Sequence, residues 1–288
     1  MRLLNVLKDD NIIKVSPVDH LSHVLAKLST SHDAGFVFDE KNKLLGVISP
    51  YYCAIKSSHP GNTKVINCLT HPPKIYLNYP IAKVCELFIQ SKIHYLPVFS
   101  KDEQFLGIVS VRRILSHFKN LPIFKIKIEE IVKKRWRPLT TIRQDASINE
   151  ALHLFKEKKF SKLVVVDYEG KLKGVLSYYD IVNFIIGPKY KEGRGERVGN
   201  KGSFYNLHVK TFAKSYVLTM NKEKQLIDVI NTILTKKIGS VVIIDKDRRP
   251  TDIITSRDLL QFYINQEKFG FFKQVSSKIG RFLSKKKT

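Results

Sequence analysis

Residues 164–180 read VVVDYEGKLKGVLSYYD and carry the clearest structural signal in this chain of 288 residues. An apolar run ends at Asp167, a polar turn follows, and a second apolar run starts at Gly174 and ends at Ser177. Two short runs rich in β-branched residues, joined by a polar turn, predict a β-hairpin. The apolar spacing after Ser177 predicts a helix that begins where the hairpin ends.

The same hairpin pattern occurs three more times in the chain. It reads FVFDEKNKLLGVIS at 36–49, PVFSKDEQFLGIVS at 97–110 and VIIDKDRRPTDIIT at 242–255. In every copy the end of the first run and the start of the second are seven residues apart, and a hydroxyl residue follows three positions later. A constant register over four copies indicates an internal repeat.

Each repeat also has a helix on its upstream side. Leu226, Val229, Ile230 and Ile233, for example, form one apolar face at helical spacing. Each repeat therefore reads strand–helix–strand–strand–helix, and we predict an α/β (α+β) fold. Because one such unit leaves a sheet face uncovered, we expect the repeats to pair into two modules.

The predicted boundaries follow from the repeat. Residues 1–122 are expected to form the first pair, with repeats near 10–57 and 63–120, and residues 123–265 the second, with repeats near 127–187 and 206–265. The basic, glycine-rich stretch 188–205 is typical of a flexible linker. A phosphate-gripping loop is the alternative there. Residues 266–288 are predicted to form a basic amphipathic tail.

Two of the four hydroxyl residues stand in a longer motif. GVLSYYD at 174–180 and DIITSRD at 252–258 resemble the G-x-x-[S/T]-x-x-D motif of the cystathionine-β-synthase (CBS) domain family, with Asp252 in place of the glycine. KIHYLPV at 92–98 is similar to the segment that leads into the second strand in that family. The four-repeat arrangement resembles that of the γ subunit of AMP-activated kinase.

The resemblance implies a site for an adenine nucleotide (ATP, ADP or AMP) in the second pair. Asp180 and Asp258 would bind the ribose hydroxyls, and Ser177 and Thr255 would approach phosphate. A carboxylate at a helix start can accept two hydroxyl hydrogen bonds, and a hydroxyl there lies beside amide donors at the positive end of the helix dipole. The same spacing is also that of helix-capping residues, and both interpretations can hold together.

The resemblance further implies that both members of a pair contribute to each site. Asp180 would face Gly239 and Ser240, while Asp258 would face Ser161 and Lys162. Lys162 would then meet an anionic phosphate, or else be an ordinary solvated lysine. The candidates for holding adenine through backbone groups are Thr140, Thr141, Leu218 and Thr219.

The first pair departs from the motif. Tyr52 and Arg113 stand where the carboxylates are expected, and neither accepts paired hydroxyls as a carboxylate does. Ser110 and Arg113 form a candidate phosphate site, to which the resemblance adds His94. The alternative is that this half is structural or docks a partner protein.

The composition narrows the list of partners. Fifty Lys and Arg against 26 Asp and Glu give a formal net charge of +24, which attracts polyanions. We recognise no catalytic or metal-binding motif and predict a non-catalytic sensor without cofactor or metal. Arg135, Trp136 and Arg137 suggest nucleic-acid binding as an alternative function. The basic tail suggests a peripheral membrane protein as another.

Location and assembly are less constrained. No apolar stretch approaches the roughly 20 residues that span a bilayer, and the apolar amino-terminal stretch is too short for a secretory signal. We therefore expect a cytoplasmic protein with reduced cysteines. A regulated protein partner and a homodimer are expected by resemblance. S-adenosylmethionine is an alternative to the nucleotide.

Overall fold

The computed structural model describes residues 2–9, 12–28, 34–57, 59–133, 138–158, 160–186 and 204–269. Three sequence features lie outside these residues: the Arg135–Trp136–Arg137 segment, the tail from residue 270 onwards, and the predicted linker up to residue 203. Phe204, at the end of that predicted linker, is buried. Its ring contacts Tyr205 and Phe212, so the linker prediction extends too far at this end.

The described residues contain four three-stranded sheets with one topology. In each sheet the first strand is parallel to the second, and the second is antiparallel to the third. We call the four repeats units 1 to 4. The strands are β1 (Lys14–Val15), β2 (Gly35–Phe38) and β3 (Leu44–Ile48) in unit 1, β4 (Ile75–Tyr76), β5 (Tyr95–Phe99) and β6 (Phe105–Ser110) in unit 2, β7 (Thr141–Arg143), β8 (Lys162–Val166) and β9 (Leu172–Ser177) in unit 3, and β10 (Thr219–Met220), β11 (Ser240–Ile244) and β12 (Pro250–Thr255) in unit 4.

The residue that ends the first apolar run shapes each hairpin turn. Asp167 Oδ1 accepts hydrogen bonds from the backbone N–H groups of Glu169 and Lys171, at 3.0 and 2.8 Å. Asp39, Ser100 and Asp245 make the same pair of bonds in the other units. A short polar side chain that bonds its own backbone favours a tight turn, which explains the Asp or Ser in every copy. The turns also share a positive φ, at Asn42, Glu103, Gly170 and Arg248.

Helices flank the sheets in the predicted order. They are α1 (Leu21–Leu28), α2 (Ile81–Ser91), α3 (Val111–Phe118), α4 (Ile128–Val132), α5 (Ile148–Glu157), α6 (Tyr178–Ile186), α7 (Leu226–Thr235) and α8 (256–269), with a π-helix at Tyr51–Lys56 and 3-10 turns at Leu3–Val6, Val65–Cys68, Pro122–Phe124 and Val209–Thr211. The predicted α/β fold is confirmed. Unit 1 differs from the others because a π-helix follows its hairpin.

The sheets pack face to face. In units 1 and 2, Phe36, Phe38 and Phe99 surround Phe105, with ring centroids 5.2–6.3 Å from it. In units 3 and 4 the contact is aliphatic and centres on Val164, Val166 and Val242. Phenyl rings thus fill the first sheet interface and valines fill the second.

The helices pack in a different combination. One buried cluster joins the helices of units 1 and 3, and Tyr51 contacts Tyr178 across it at 5.4 Å. Another joins units 2 and 4, where the rings of Phe118 and Tyr263 stack at 4.4 Å. Because each unit packs on one neighbour through its sheet and on another through its helices, the division into two modules stays a prediction.

Candidate functional site

Asp180 lies at the start of α6 and caps it. Its Oδ2 accepts hydrogen bonds from the backbone N–H of Ser177 at 2.8 Å and from the Ser177 hydroxyl at 2.6 Å. The Asp180 N–H is directed back at Ser177 Oγ, 3.4 Å away. This is the reciprocal geometry of a capping box. The structure thus shows the capping role, and nucleotide binding by these residues stays a prediction.

Unit 4 repeats this arrangement at Asp258. Its Oδ2 accepts hydrogen bonds from the backbone N–H and the hydroxyl of Thr255, at 2.7 and 2.6 Å. The Asp258 N–H lies 3.4 Å from Thr255 Oγ1. The two caps match within about 0.1 Å, so the change from glycine to Asp252 in the motif leaves the carboxylate in place.

The second oxygen of Asp180 has a partner that the sequence did not indicate. Lys214 Nζ lies 3.1 Å from Asp180 Oδ1. Only 7% of the Asp180 side chain is exposed, against 67% of the Lys214 side chain. Lys214 is brought there by an antiparallel bridge to Val175, with both backbone hydrogen bonds at 3.0 Å.

Gly174 allows this close approach of the two chains. A Cβ at Gly174 would lie 2.9 Å from the carbonyl oxygen of Lys214, too close for any other residue without a backbone shift. The glycine of the motif therefore has a structural reason here: it lets the segment before unit 4 cross β9. A glycine inside a strand was the one local signal that another backbone passes close by.

Lys162 is a second cation beside Asp180. It starts β8, directly opposite Ser177 in the hairpin register. A Cβ at Gly239 would lie 3.3 Å from Lys162 Nζ, which places this ammonium at the entry to β11 of unit 4. Burial lowers the pKa of Lys162 to about 8; nearby Asp180 opposes the shift and Lys214 adds to it.

The structure thus brings together predicted residues from units 3 and 4. We use the name Asp180 site for Ser177, Asp180, Lys162, Lys214 and Gly239. The sequence predicted that Lys162 would serve Asp258, whereas the structure places it beside Asp180. Gly239 lies next to Lys162 on the Asp180 side.

The remaining predicted positions lie on the first strands or at the entries to the second strands. Thr141 pairs with Val164 and Thr219 with Val242, and the Leu218 carbonyl accepts a hydrogen bond from the Val242 N–H at 3.1 Å. Thr140 and Ser161 are partly buried, and buried Ser240 lies opposite Thr255. Thr141, Leu218 and Thr219 thus lie along the strands that carry the interface valines of units 3 and 4, and the role of all these positions in holding adenine stays a prediction.

Tyr52 has a structural role in unit 1. Its hydroxyl donates a hydrogen bond to the carbonyl oxygen of Ser91 at 2.7 Å, and Lys56 Nζ lies 5.2 Å from the ring centroid. The phenol therefore ties the π-helix of unit 1 to the end of α2 in unit 2. At the matching position, unit 3 has the Asp180 carboxylate.

The candidate phosphate-site residues Ser110 and Arg113 have hydrogen-bond partners of their own. The Arg113 guanidinium donates to the Leu7 carbonyl, and Ser110 Oγ accepts a hydrogen bond from the Arg113 N–H at 3.3 Å. His94 instead lines a cavity of about 10 Å³, the size of about one water molecule, with Ser49 and Tyr179. Arg113 thus anchors the amino-terminal segment, and phosphate binding by these three residues stays a prediction.

Other chemistry is sparse in the part of the chain that the structure describes. The three cysteines, Cys53, Cys68 and Cys85, are buried and form no disulfide. Burial raises the pKa of Cys53 to about 12, which makes it a poor nucleophile. Among the described residues, no cluster of three or more His, Cys, Asp or Glu side chains is arranged to hold a metal ion. None of the described helices has the length and hydropathy to cross a membrane.

Comparison with known families agrees with the geometry. The CBS-domain model matches residues 65–120, 128–187 and 209–265, which together make up more than half of the chain. The chain belongs to the CBS-domain family. The three matched segments contain units 2, 3 and 4. Unit 1 is outside the match but shares their strand order and hairpin turn.

Similar proteins come from archaea and animals. An uncharacterised 33.4 kDa protein from Thermofilum pendens is 24% identical over 193 residues, covering 66% of this chain and 60% of the relative. The γ-3 subunit of 5'-AMP-activated protein kinase from Sus scrofa is 25% identical over 181 residues, covering 60% of this chain and 34% of the relative. The chain thus spans less than two thirds of the length of these relatives.

A solved structure shares the architecture over a larger part of the chain than the sequence relatives do. A Methanocaldococcus jannaschii protein, a proposed archaeal homologue of g-AMPK, superposes with a TM-score of 0.78. The superposition covers 91% of this chain and 100% of the archaeal chain, with 17% identical residues. An uncharacterised conserved protein from Pyrococcus horikoshii has a TM-score of 0.61 over the same share of this chain.

Proposed function

We propose that this chain is a non-catalytic regulatory protein that binds an adenine nucleotide between units 3 and 4 and thereby alters its contacts with a partner protein. The observation that carries the proposal is the Asp180 site. It combines an almost fully buried carboxylate on a helix cap with the Lys162 ammonium at the entry to the neighbouring sheet. The likeness to the AMP-activated kinase subunit supports ATP, ADP or AMP as the ligand.

Each part of the site has a role in this proposal. The Asp180 carboxylate accepts hydrogen bonds from the ribose hydroxyls, because a carboxylate can accept several bonds at once. Ser177, at the positive end of α6, and Lys162 meet the phosphates. Asp258 and Thr255 form the corresponding site in unit 4. The backbone groups of Thr140, Thr141, Leu218 and Thr219 hold the adenine.

A ligand in this position can act as a regulator. It touches two units at once, so it stabilises the arrangement in which both present their groups together. Binding changes the contacts with a partner only if the ligand has a higher affinity for one arrangement than for another. Unit 3 also packs on unit 1 through Tyr178 and Tyr51, so a shift of unit 3 on ligand binding is passed on to unit 1.

The test is nucleotide binding to Asp180→Ala, measured by calorimetry with AMP, ADP and ATP. Losing the charge-assisted hydrogen bonds should lower affinity by about 10- to 150-fold, equivalent to about 1.5–3 kcal/mol. Asp258→Ala tests the second site in the same way.

The matched control is Asp228→Ala. Asp228 Oδ2 accepts a hydrogen bond from the Gln225 N–H at 3.0 Å, so it caps α7 as Asp180 caps α6 but lies outside the proposed site. Its loss should lower stability and leave affinity unchanged. Unchanged nucleotide affinity in both Asp180→Ala and Asp258→Ala would refute the site.

A further inference from the structure

Among the described residues, Asp180 contacts a partner outside its own cap through one oxygen. Oδ2 accepts both bonds from Ser177, while Oδ1 is 3.1 Å from Lys214 Nζ. A ribose that bonds Oδ1 therefore meets the Lys214 ammonium at the same oxygen. Whether the ammonium stays there depends on what the rest of the ligand offers to it.

We propose that Lys214 determines specificity at the Asp180 site: it pairs with Asp180 before binding and moves to the ligand's phosphate on binding. The site then selects phosphorylated adenine nucleotides over adenosine and S-adenosylmethionine. This inference rests on the proposed function and names the ligand class of the same site. Lys214 is a specificity residue that the sequence pattern did not indicate.

Only the Lys214 side chain has to move for this exchange of partners. The Lys214 backbone is held by two hydrogen bonds to Val175, and its carbonyl oxygen fits against Gly174. The side chain beyond it is 67% exposed and flexible. The pair is exposed only on the Lys214 side, so the ammonium can turn to a nearby phosphate while a ribose hydroxyl takes its place at Oδ1 and keeps the buried carboxylate hydrogen-bonded.

The local charge favours an anion. Lys162 and Lys214 supply two positive charges around the single negative charge of Asp180, and Lys162 interacts electrostatically with both groups. A nucleotide phosphate compensates the excess. Adenosine displaces Lys214 without offering it a new partner. S-adenosylmethionine carries a sulfonium, an ammonium and one carboxylate, so it is a net cation facing two cations, and like charges in a binding site disfavour the ligand.

The test is calorimetry on the full chain at low salt with ATP, AMP, adenosine and S-adenosylmethionine. Lys214→Met should lower ATP affinity about 3- to 10-fold and raise adenosine affinity by up to about 5-fold. Lys214→Arg should retain most of the preference for ATP because it keeps the charge. Lys210→Met is the matched control: it removes one exposed lysine from the same connecting segment and should change neither affinity more than about 2-fold.

Three outcomes would overturn the inference. Equal losses of ATP and adenosine affinity in Lys214→Met would mean that Lys214 only supports the fold. Equal wild-type affinity for ATP and S-adenosylmethionine would show that the site does not select phosphate, while the proposed function would stand. Wild-type protein that binds none of the four ligands would remove the proposed function together with the inference. Thermal melts of each variant confirm that it is folded.

Discussion

Units 1 and 3 share one backbone pattern and differ in what they put at one position. Both have the three-strand order, the Asp-centred turn and a hydroxyl residue at the end of the hairpin, Ser49 and Ser177. Three residues later, unit 1 has Tyr52 bonded to Ser91, and unit 3 has Asp180 between Ser177 and Lys214. The same backbone position therefore carries a phenol that bonds unit 1 to unit 2, and in unit 3 a carboxylate that contacts Lys214.

The sheet interfaces differ in the same sense. Four phenyl rings occupy the contact between units 1 and 2, and valines occupy the contact between units 3 and 4. Large rings fix the first contact by burying much apolar area. The comparison suggests that the first half of the chain supports the structure and that the second half binds the ligand.

The largest loss of stability is expected when a ring is removed from the aromatic interface of units 1 and 2. Phe36 is 1% exposed and packs near Phe105, so Phe36→Ala should destabilise the protein by about 3–5 kcal/mol. Val164, fully buried in the other interface, loses less volume in Val164→Ala, and we expect about 2 kcal/mol. Urea denaturation measures both. Equal losses would contradict the idea that the first interface is the more structural one.

The next effect is a pH dependence that belongs to unit 3. Lys162 stands opposite Ser177, whereas Tyr95 and Ser240 hold the matching positions in units 2 and 4. Its pKa of about 8 means that the free site loses this charge as pH rises through 8. A bound phosphate favours the charged form, so binding takes up a proton in this range. Nucleotide affinity should fall by up to about tenfold between pH 7 and 9.

As the pH rises, Lys162 affects protein stability in the direction opposite to its effect on nucleotide affinity. Between pH 8 and about 10.5, the unfolded chain binds more protons at Lys162 than the folded chain, so this residue's contribution to the free energy of unfolding rises with pH. General alkaline unfolding would lower stability and affinity together. Calorimetry in buffers of different ionisation enthalpy detects the proton uptake, and Lys162→Met should remove it. A pH-independent affinity in the wild type would contradict the phosphate role of Lys162.

The sequence predicted the scaffold better than the site. The hairpins, their turns and the capping carboxylates follow from residues close together in the chain, so Asp167 and Asp180 could be interpreted locally. Lys214 could not, because it reaches Asp180 only after the chain crosses β9. The family resemblance paired Lys162 with Asp258, whereas the hairpin register sets Lys162 opposite Ser177 and so beside Asp180. The π-helix at Tyr51–Lys56 was missed for a related reason: its apolar spacing suits an α-helix, and packing on unit 3 is not visible in the sequence.

The smallest effect is expected at Tyr52. Tyr52→Phe removes the hydrogen bond to the Ser91 carbonyl and should cost about 0.5–1.5 kcal/mol of stability, measured by urea denaturation, with no change in nucleotide affinity. Tyr52→Asp sharpens the comparison, because it recreates in unit 1 the Ser-x-x-Asp spacing of unit 3. In unit 1 the residue opposite Ser49 is Ala34, whereas in unit 3 the residue opposite Ser177 is Lys162. We therefore expect no additional nucleotide to bind, because no lysine stands at this position to meet a phosphate. Calorimetry that finds one more bound nucleotide per chain in Tyr52→Asp would show that the carboxylate alone makes a site. The cations around Asp180 would then be secondary.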